Sequence, residues 1–412
     1  MDSKIYDVIV CGGGPGGVCA AMAAARSGMK TLMIERYAFA GGMATAGLVN
    51  PFMSYVSANG KNLANGIFNE IIAKLAENGG IYFADNRVFD DEIMKLVLDE
   101  MLMESGVEIL FHAHVCGAKR SGGKIESVSA ATKSGIQEFK AKIFIDATGD
   151  GDLAYYADFK YEKGRSSDGA CQPSTLCFRI GGVRTPYVMA ELRAHLTEVY
   201  LEGKAAGKIS DPRENVLIFN TLRDEVIHFN TTRVVLKDST LSKDLTDSEL
   251  EARKQTKELF TFFKEKSPYF KNAYILKMAA QIGVRETRRV EGLYKITEDE
   301  LLKAKHFDDA VARSNYPVDI HNPAGSGTVI KRIEGEFYEI PYRCLVPLDS
   351  TNLLMACRAI SSTHEAHSSL RIMPVVASYG EAAGIAAAIA VKENKAPAEI
   401  DGRILKEKLF KD

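Results

Sequence analysis

The sequence lacks the cysteine and histidine patterns that mark several redox and metal proteins. Its seven cysteines, in 412 residues, include no C-x-x-C pair and no cysteine–histidine spacing typical of zinc sites. The disulfide reductases are therefore excluded, and we expect no bound metal. An odd set of cysteines without a pairing pattern fits a reducing environment, so we expect a cytoplasmic protein.

An excess of one charge and a long apolar run are also lacking. Lysine and arginine number 52 against 54 acidic residues, and the net charge of -2 gives no field for holding nucleic acid. The N-terminus has neither the basic start nor the apolar stretch of a secretory signal. Residues 373–391 are apolar but alanine-rich and interrupted by Glu381, which predicts a buried helix rather than a membrane span. We expect neither nucleic acid nor a membrane as a partner.

The chain has enough apolar material for two or three domains, since 46% of its residues are hydrophobic. Residues 6–11 are strand-like, residues 18–27 are alanine-rich and helix-prone, and residues 30–35 are again strand-like. This βαβ order predicts a parallel sheet covered on both faces. Two later strand-like runs, at residues 124–132 and 136–145, follow glycine turns and predict an antiparallel meander.

A glycine-rich turn joins the first strand to the first helix. It contains G-x-G-x-x-G as Gly12, Gly14 and Gly17. Gly12 permits the tight turn, Gly14 lets the backbone approach a pyrophosphate, and Gly17 allows the helix to pack closely on the strand. The helix N-terminus, at Pro15 and Gly16, would point free N–H groups at the phosphates.

An acidic residue ends the second strand. Glu35 lies about 20 residues beyond the glycines, where a carboxylate accepts hydrogen bonds from a ribose diol and repels a 2′-phosphate. A glycine-rich turn without a ligand is the competing interpretation, but strand, helix and acid together favour an adenine dinucleotide.

Three further features favour FAD over NAD. After Arg36, the small-residue segment that includes Gly42, Met43 and Ala44 has room to pass beneath a flat ring system. A second backbone-rich turn, residues 147–152, follows the strand at residues 142–146, at the end of a sheet where ligands collect. A helix that begins near Pro374 supplies another N-terminus.

Segments along almost the whole chain resemble the bacterial FAD-dependent oxidoreductase family. They are DVIVCGGGPGG, IERYAFAGGMATAG, ATGDGDLA, QPSTLCFRIGG, QIGVRETRR, YRCLVP and ACRAISSTHEAHSSLRIMP. That family is related in its flavin-binding domain to the fumarate reductase and glutathione reductase type flavoproteins. The resemblance therefore implies a two-domain FAD fold and oxidoreductase activity, but these motifs do not specify a substrate.

The resemblance also implies which residues contact FAD. It implies Gly12, Gly14 and Gly17 at the pyrophosphate, Glu35 at the adenosine ribose, the Val115 backbone at the adenine, Gly42, Met43 and Ala44 at the flavin, and Thr148, Gly149 and Asp150 near the phosphates. Arg358 matches the family's arginine, although Cys357 stands where relatives usually have glycine. Residues 1–111 contain no histidine, whereas succinate dehydrogenase relatives anchor FAD through one, so we expect noncovalent FAD.

Together these patterns predict an α/β fold in two interleaved parts. Residues 1–180 and 337–412 are expected to form a discontinuous, Rossmann-like FAD-binding domain with a parallel sheet and a β-meander. Residues 181–336 differ in character and are expected to form a mixed α+β substrate or cap domain.

The candidate catalytic groups lie in three segments. The segment before the Pro374 helix carries His364 and His367 as proton donors or acceptors, and Arg371 as a carboxylate clamp. The helix itself, at Pro374 and Val375, would stabilise negative charge on the reduced flavin.

Two further segments come from the predicted cap domain. Residues 281–289 contain three arginines, among them Arg285, and His321 lies in a loop between prolines. Structural roles compete with each of these assignments: a histidine that hydrogen-bonds a loop, or an arginine that is solvated or ion-paired.

We therefore expect hydride exchange between flavin N5 and a small polar metabolite that bears a hydroxyl, such as a sugar derivative or hydroxy acid. Two alternatives stay open: fumarate-like reduction of an activated alkene, and an FAD-binding redox sensor without turnover. The expected partners are this small molecule and an unidentified electron donor or acceptor. Self-association stays open.

Overall fold

The computed structural model describes residues 4–82 and 85–410. Its α-helices are α1 (Pro15–Arg26), α2 (Gly66–Glu77), α3 (Asp91–Glu104), α4 (Asp152–Tyr156), α5 (Met189–Ala205), α6 (Ser242–Lys266), α7 (Glu298–Leu302), α8 (His364–Leu370), α9 (Met373–Glu393) and α10 (Gly402–Leu409). Short 3₁₀ turns occupy Gly42–Ala44, Pro268–Phe270, Tyr342–Leu345 and Pro397–Glu399.

The strands vary from two to twelve residues. They are β1 (Ile5–Cys11), β2 (Thr31–Ile34), β3 (Ile81–Tyr82), β4 (Asp85–Phe89), β5 (Glu108–Leu110), β6 (His114–Ser121), β7 (Lys124–Thr132), β8 (Gly135–Asp146), β9 (Tyr161–Lys163), β10 (Phe178–Gly181), β11 (Ile218–Phe219), β12 (Ile227–Phe229), β13 (Tyr274–Met278), β14 (Arg288–Val290), β15 (Ala310–Ser314), β16 (Val318–His321), β17 (Thr328–Lys331), β18 (Tyr338–Pro341) and β19 (Leu353–Met355).

The main sheet has the strand order β5-β2-β1-β8-β7-β6, and β19 also pairs with β8. Strands β5, β2, β1, β8 and β19 run parallel, whereas β6, β7 and β8 pair antiparallel. Strand β8 serves both arrangements: its first residues pair with β7 and its last seven lie beside β1 and β19. This confirms the predicted α/β fold with a parallel sheet and a meander.

Helices α1 and α9 pack against each other and against the sheet through small residues. A Cβ atom at Gly380 would overlap the backbone of Gly16, and one at Gly384 would overlap the carbonyl oxygen of Ala20. Helix α9 is long and apolar enough to span a bilayer, but 78% of its apolar window is buried within the protein. Its Glu381 accepts a hydrogen bond from the N–H of Ile67, at the start of α2, which explains a carboxylate in an apolar helix.

A second hydrophobic core forms around β10, β12, α5 and α6. It contains the stacked rings of Phe178 and Phe229, with Phe263 and Phe270 beside them. Residues after about 290 do not join it, because side chains from Val290 onwards pack in the first core, with the main sheet. The domain boundaries at residues 181 and 336 stay a prediction. The second core covers a shorter stretch of the chain than the predicted cap domain, residues 181–336.

Candidate active site

A cavity of about 640 Å³ lies where the main sheet meets the second core. One end, here called the glycine end, is lined by Gly12, Gly14, Glu35 and Thr148 at the carboxyl ends of parallel strands. The other, called the arginine end, is lined by Tyr316, Asp319, His321, Arg285 and Arg371. The two ends use different chemistry, since one offers mainly backbone groups and the other mainly charged side chains.

The first turn of α1 opens directly onto the glycine end. Gly14 is the N-cap of α1, and no side chain in the described part of the chain caps this end of the helix. A Cβ atom at Gly14 would meet nothing within 4 Å, so the backbone here is open to a ligand. A Cβ atom at Gly17 would instead overlap the carbonyl oxygen of Gly12, which explains the close packing of α1 on β1. Pro15 and Gly16 line the cavity beside them.

Glu35 is fixed at the edge of the cavity by two backbone donors. Its Oε2 accepts a hydrogen bond from the N–H of Gly13 at 2.6 Å, and its Oε1 accepts one from the N–H of Tyr37 at 2.9 Å. The side chain is buried, and each oxygen keeps a further lone pair for a ligand hydroxyl. Val115 lines the same part of the cavity.

The turn after β8 is held by a buried carboxylate. Asp146 Oδ1 accepts hydrogen bonds from the N–H and Oγ1 of Thr148, and Oδ2 accepts one from the N–H of Ala154. Burial raises the pKa of Asp146 to about 6, although these hydrogen bonds oppose the shift. Thr148 and Gly149 line the cavity as a result.

Asp150 does not line the cavity. It pairs with Arg358 and accepts a hydrogen bond from Thr287 Oγ1 at 2.8 Å, while Arg358 itself lines the wall. The preceding Cys357 does not have a positive φ, so a side chain is accommodated where relatives usually have glycine.

Of the three arginines in residues 281–289, two form buried ion pairs and one lines the cavity. Arg288 pairs with Asp152 and Arg289 with Glu286, and both arginines are buried. Arg285 alone of the three lines the cavity. At the start of the segment, the Gln281 side chain accepts a hydrogen bond from Arg36, another lining residue, and ties this segment to β2.

Among the described residues, no carboxylate lies within 4.0 Å of the guanidinium groups of Arg285 and Arg371 at the arginine end. Arg285 Nη1 donates to the carbonyl oxygen of Pro173 at 2.7 Å and to Thr175 Oγ1 at 2.6 Å. Burial and the nearby charge of Arg371 lower the pKa of Arg285 to about 9. Arg371 Nε is buried and has no hydrogen-bond partner in the described part of the chain.

Asp319 is the centre of a small polar cluster facing these arginines. Tyr316 Oη donates to Asp319 Oδ2 at 2.8 Å, and His321 Nε2 lies 3.5 Å from the same oxygen. Burial opposes ionisation of Asp319, but His321, Arg371 and Tyr316 together hold its pKa well below the usual range. Burial, together with the charge of Arg285, lowers the pKa of His321 to about 3. The cluster therefore contains a carboxylate and a neutral imidazole at neutral pH.

The tautomer of His321 follows from its other neighbour. Arg233 is buried, and its Nη2 lies 3.1 Å from His321 Nδ1. A guanidinium group only donates hydrogen bonds, so Nδ1 must accept, and a neutral ring then carries its proton on Nε2, facing Asp319. Thr328 Oγ1 also lies 3.2 Å from Nδ1.

Several predicted site residues lie outside the cavity wall. His364 is buried with Nδ1 2.8 Å from Glu286 Oε1, and His367 is fully buried with neither ring nitrogen partnered in the described ranges. Burial and the charge of Arg289 place the pKa of His367 well below its usual value. The wall contains Gly42, Met43, Arg358 and Arg371, but it does not include Gly17, Ala44, Asp150, His364, His367, Pro374 or Val375. The roles predicted from the sequence for all these residues, inside and outside the wall, stay predictions.

Sequence reasoning passed over Asp319 and Tyr316. Asp319 lies two residues before His321 on β16, and alternate residues of a strand point to the same face, so the spacing was visible. Tyr316 had no such signal, because it precedes the strand.

The glycine end fits an adenine dinucleotide on its own chemistry. It presents an uncapped helix N-terminus to a pyrophosphate, open space beside Gly14, a rigid carboxylate for a ribose, and a backbone turn at Thr148. Met43 and Met373 also line the cavity, whose wall includes both the glycine end and the arginine end.

A model of FAD-dependent oxidoreductases matches residues 7–409. The chain belongs to this family. The predicted cofactor and general activity are therefore confirmed: this FAD-dependent oxidoreductase is an enzyme that uses FAD.

The curated relatives resemble only part of this oxidoreductase. A digeranylgeranylglycerophospholipid reductase of Methanocella arvoryzae is 29% identical over 158 residues, which are 35% of this chain and 39% of that protein. A thiamine thiazole synthase of Methanococcus aeolicus is 30% identical over 159 residues, which are 36% of this chain and 57% of that protein. The matches thus span less than two thirds of these relatives.

Solved structures share the fold over nearly the whole chain. A geranylgeranyl bacteriochlorophyll reductase-like protein of Thermoplasma acidophilum has a TM-score of 0.52 and 15% identity, covering 98% of this chain and 83% of that one. The flavin-dependent brominase Bmp2 has a TM-score of 0.51 and 13% identity, covering 98% and 82%. These likenesses confirm the FAD-binding, Rossmann-type fold.

Proposed function

We propose that this oxidoreductase exchanges a hydride with a 2-hydroxy acid, whose carboxylate is bound by Arg285 and Arg371. The observation that carries the proposal is a pair of guanidinium groups in the cavity wall with no ion pair within 4.0 Å among the described residues. A half-buried cation without an ion pair carries a desolvation cost, and a guanidinium fork matches the geometry of a carboxylate. An anionic substrate removes that cost, whereas a neutral sugar derivative does not.

Asp319 is proposed as the proton acceptor for the substrate hydroxyl. It is the carboxylate at the arginine end, and Tyr316 and His321 fix its orientation. In the oxidation, the hydrogen on carbon leaves with its electron pair, the hydroxyl proton passes to Asp319, and the C–O bond becomes a carbonyl. Bound FAD supplies the acceptor for the hydride. The low pKa of Asp319 makes it a weak base, so proton transfer is favourable only as the hydride departs.

Anaerobic mixing tests this function. Purified yellow protein is mixed with lactate and, as a matched neutral alcohol, with propane-1,2-diol, and the visible absorbance of the flavin is followed. We expect bleaching with the hydroxy acid at concentrations where the diol has no effect. Bleaching by neutral alcohols or sugars with equal efficiency would contradict the carboxylate assignment, and no bleaching with any member of a 2-hydroxy acid panel would contradict the reaction.

Arginine variants locate the carboxylate. Replacement Arg371→Gln should weaken binding of the acid about tenfold to hundredfold, the usual range for a charged hydrogen bond. Arg371→Lys, which keeps the charge but loses the fork, should lie between Gln and the wild type. Equal affinities in all three proteins would exclude Arg371 from the site.

Reduction of an activated alkene that bears a carboxylate is the second candidate. The guanidinium groups of Arg285 and Arg371 in the cavity wall favour it, because they would bind the carboxylate of an unsaturated acid as well as that of a hydroxy acid. Its test uses chemically reduced protein and fumarate: rapid reoxidation of the flavin without oxygen supports this candidate, and stable reduced protein excludes it.

A further inference from the structure

The cavity includes a chamber formed by the second core. We call it the cap chamber, and its wall consists of Met189, Arg193, Leu217, Phe219, Asn220 and Asn230. Met189 and Arg193 come from α5, Leu217 and Phe219 lie at β11, and the two asparagines follow β11 and β12. Three of these side chains are apolar and none is acidic. Leu217 and Phe219 are partly exposed, and both line the cavity.

Hydrogen bonds place this chamber beside the arginine end. Arg285 Nη1 donates to Thr175 Oγ1 at 2.6 Å, and the next residue, Leu176, donates its N–H to Thr232 Oγ1 at 2.9 Å. Asn230 lies only two residues before Thr232. A substrate bound at Arg285 therefore has the cap chamber as its neighbour.

Arg233 makes the same connection from the other side. It lies three residues after Asn230 and contacts His321 Nδ1 at 3.1 Å. The segment that forms the chamber wall is thus tied to both the Arg285 side and the His321 side of the arginine end.

Two polar atoms in the chamber residues lack partners. Asn230 Oδ1 and Arg193 Nε are buried and form no hydrogen bond within the described ranges, although Arg193 Nη2 donates to the carbonyl oxygen of Ile218 at 2.7 Å. A buried polar atom without a partner is costly, so a ligand group that reaches either atom would stabilise the complex. One is an acceptor and the other a donor, so an amide or hydroxyl group matches the pair.

We infer that the cap chamber binds the body of the substrate: an alkyl chain or aromatic ring that extends from the acid group and carries an amide or hydroxyl. Phe219 and Leu217 would cover the apolar part, and Arg193 and Asn230 would bind the polar group. This inference rests on the proposed function for the position of the acid group. It replaces the small polar metabolite expected from the sequence with a longer, amphipathic hydroxy acid.

A chain-length series tests the chamber by calorimetry on the FAD-loaded protein. The ligands are the 2-oxo acids from pyruvate to 2-oxohexanoate, which share one head group and differ by single methylenes. Each methylene that enters an apolar chamber should tighten binding about fourfold, from the usual burial free energy of a CH₂ group. Phenylpyruvate should bind at least as tightly as 2-oxohexanoate.

Phe219 provides a matched pair of variants. Phe219→Ala removes the apolar wall, so each added methylene should no longer tighten binding about fourfold but should leave the affinity almost unchanged. Phe219→Leu keeps apolar volume and should retain most of the increase, which separates loss of the wall from disturbance of β11. A slope that is identical in the wild type and in Phe219→Ala would overturn the role of this residue in the chamber.

Benzamide, a neutral aromatic amide, separates failure of the chamber from failure of the proposed function. If the oxo acids bind with no dependence on length and benzamide does not bind, the chamber is wrong and the carboxylate site stands. If benzamide binds, with an affinity that Phe219→Ala weakens, and the acids do not, the chamber stands and the proposed function is wrong. If neither class binds, both are overturned.

Discussion

The two ends of the cavity are built in different ways, and the difference decides what the sequence reveals. The glycine end comes from short stretches that directly follow strands β1, β2 and β8, and it offers mostly backbone groups. The arginine end joins Arg285, Asp319 and Arg371, which are far apart in the chain and act through their side chains. Backbone recognition requires local glycine patterns, whereas a side-chain site leaves no continuous motif.

The same contrast separates two sets of histidines. His364 and His367 lie in a family-specific segment that looks catalytic, yet both are buried away from the cavity wall, and His364 faces Glu286. His321 lies in a segment with a weaker pattern but lines the cavity beside Asp319. A strong motif therefore does not by itself show which histidines line the cavity.

The largest effect is expected at the arginine end. Replacement Asp319→Asn should slow reduction of the flavin by a 2-hydroxy acid by about 10²- to 10⁴-fold, because it removes the proposed proton acceptor. Rapid-mixing absorbance measures the rate, and bound FAD and circular dichroism serve as controls for folding.

The sequence instead predicts that His364→Ala or His367→Ala slows this step more than tenfold. Both variants are measured beside Asp319→Asn. Fast reduction by Asp319→Asn together with slow reduction by either histidine variant would move the chemistry away from the arginine end.

Alanine substitutions at two glycines of the G-x-G-x-x-G motif should have different effects. Gly17→Ala should destabilise the fold by about 1–3 kcal/mol, since its Cβ would overlap the carbonyl oxygen of Gly12. Gly14→Ala should fold normally, because no atom lies near its Cβ, but should weaken FAD binding about tenfold by entering the approach to the pyrophosphate. Urea unfolding and FAD titration measure the two effects. Equal stability of both variants would refute the packing role of Gly17.

The two ends should also respond to pH in opposite directions. His321 has its pKa lowered from 6.5 to about 3, so the unfolded chain binds more protons and stability rises with pH between these values. Asp146, at the glycine end, has its pKa raised from 3.8 to about 6, so the folded chain binds more protons and stability falls as pH rises. Each group contributes a slope of at most about 1.4 kcal/mol per pH unit.

Unfolding free energies measured from pH 3.5 to 6 test these signs. His321→Gln should lower the slope of stability against pH, and Asp146→Asn should raise it. Slopes that change in the same direction in both variants would refute the assignment of one of the two ionisation states.

The smallest effect is expected at Glu35. Glu35→Gln keeps the shape of the side chain but replaces one acceptor oxygen by an NH₂ donor, so it loses one of the hydrogen bonds from the Gly13 and Tyr37 N–H groups. We expect FAD affinity to fall about tenfold. Dilution followed by ultrafiltration measures the retained flavin. Full retention by the variant in dilute protein would count against contact with the ribose. Acid precipitation of the wild type should release all flavin, as expected for noncovalent FAD, and a yellow pellet would contradict this.

Much of the fold could be predicted from the sequence, because its signals are local. The βαβ unit, the meander and the buried alanine-rich helix each have a short pattern, and the structure contains all three. Residues 107–115 have the sequence pattern of one strand, but the structure divides them into β5 and β6, since His112 between them has a φ of 55° that no strand continues through. One residue with unusual backbone geometry has no distinct sequence signal.

The candidate site could be predicted only in part. Glu35 and the glycines follow from spacing, but the separation of Arg285 from Arg288 and Arg289 depends on which carboxylates fold beside each, and that is a matter of tertiary contacts. The sequence did not reveal Asp319 for the same reason. Its proposed role depends on Arg371 and Tyr316, which are not its neighbours on β16.

The central claim is that Arg285 and Arg371 bind the substrate carboxylate. A crystal structure of the protein with FAD and phenylpyruvate bound tests it most directly. We predict the isoalloxazine between the glycine and arginine ends, with the ligand carboxylate within about 3 Å of guanidinium nitrogens of Arg285 and Arg371. A carboxylate bound elsewhere, with these two side chains turned away from it, would contradict the account.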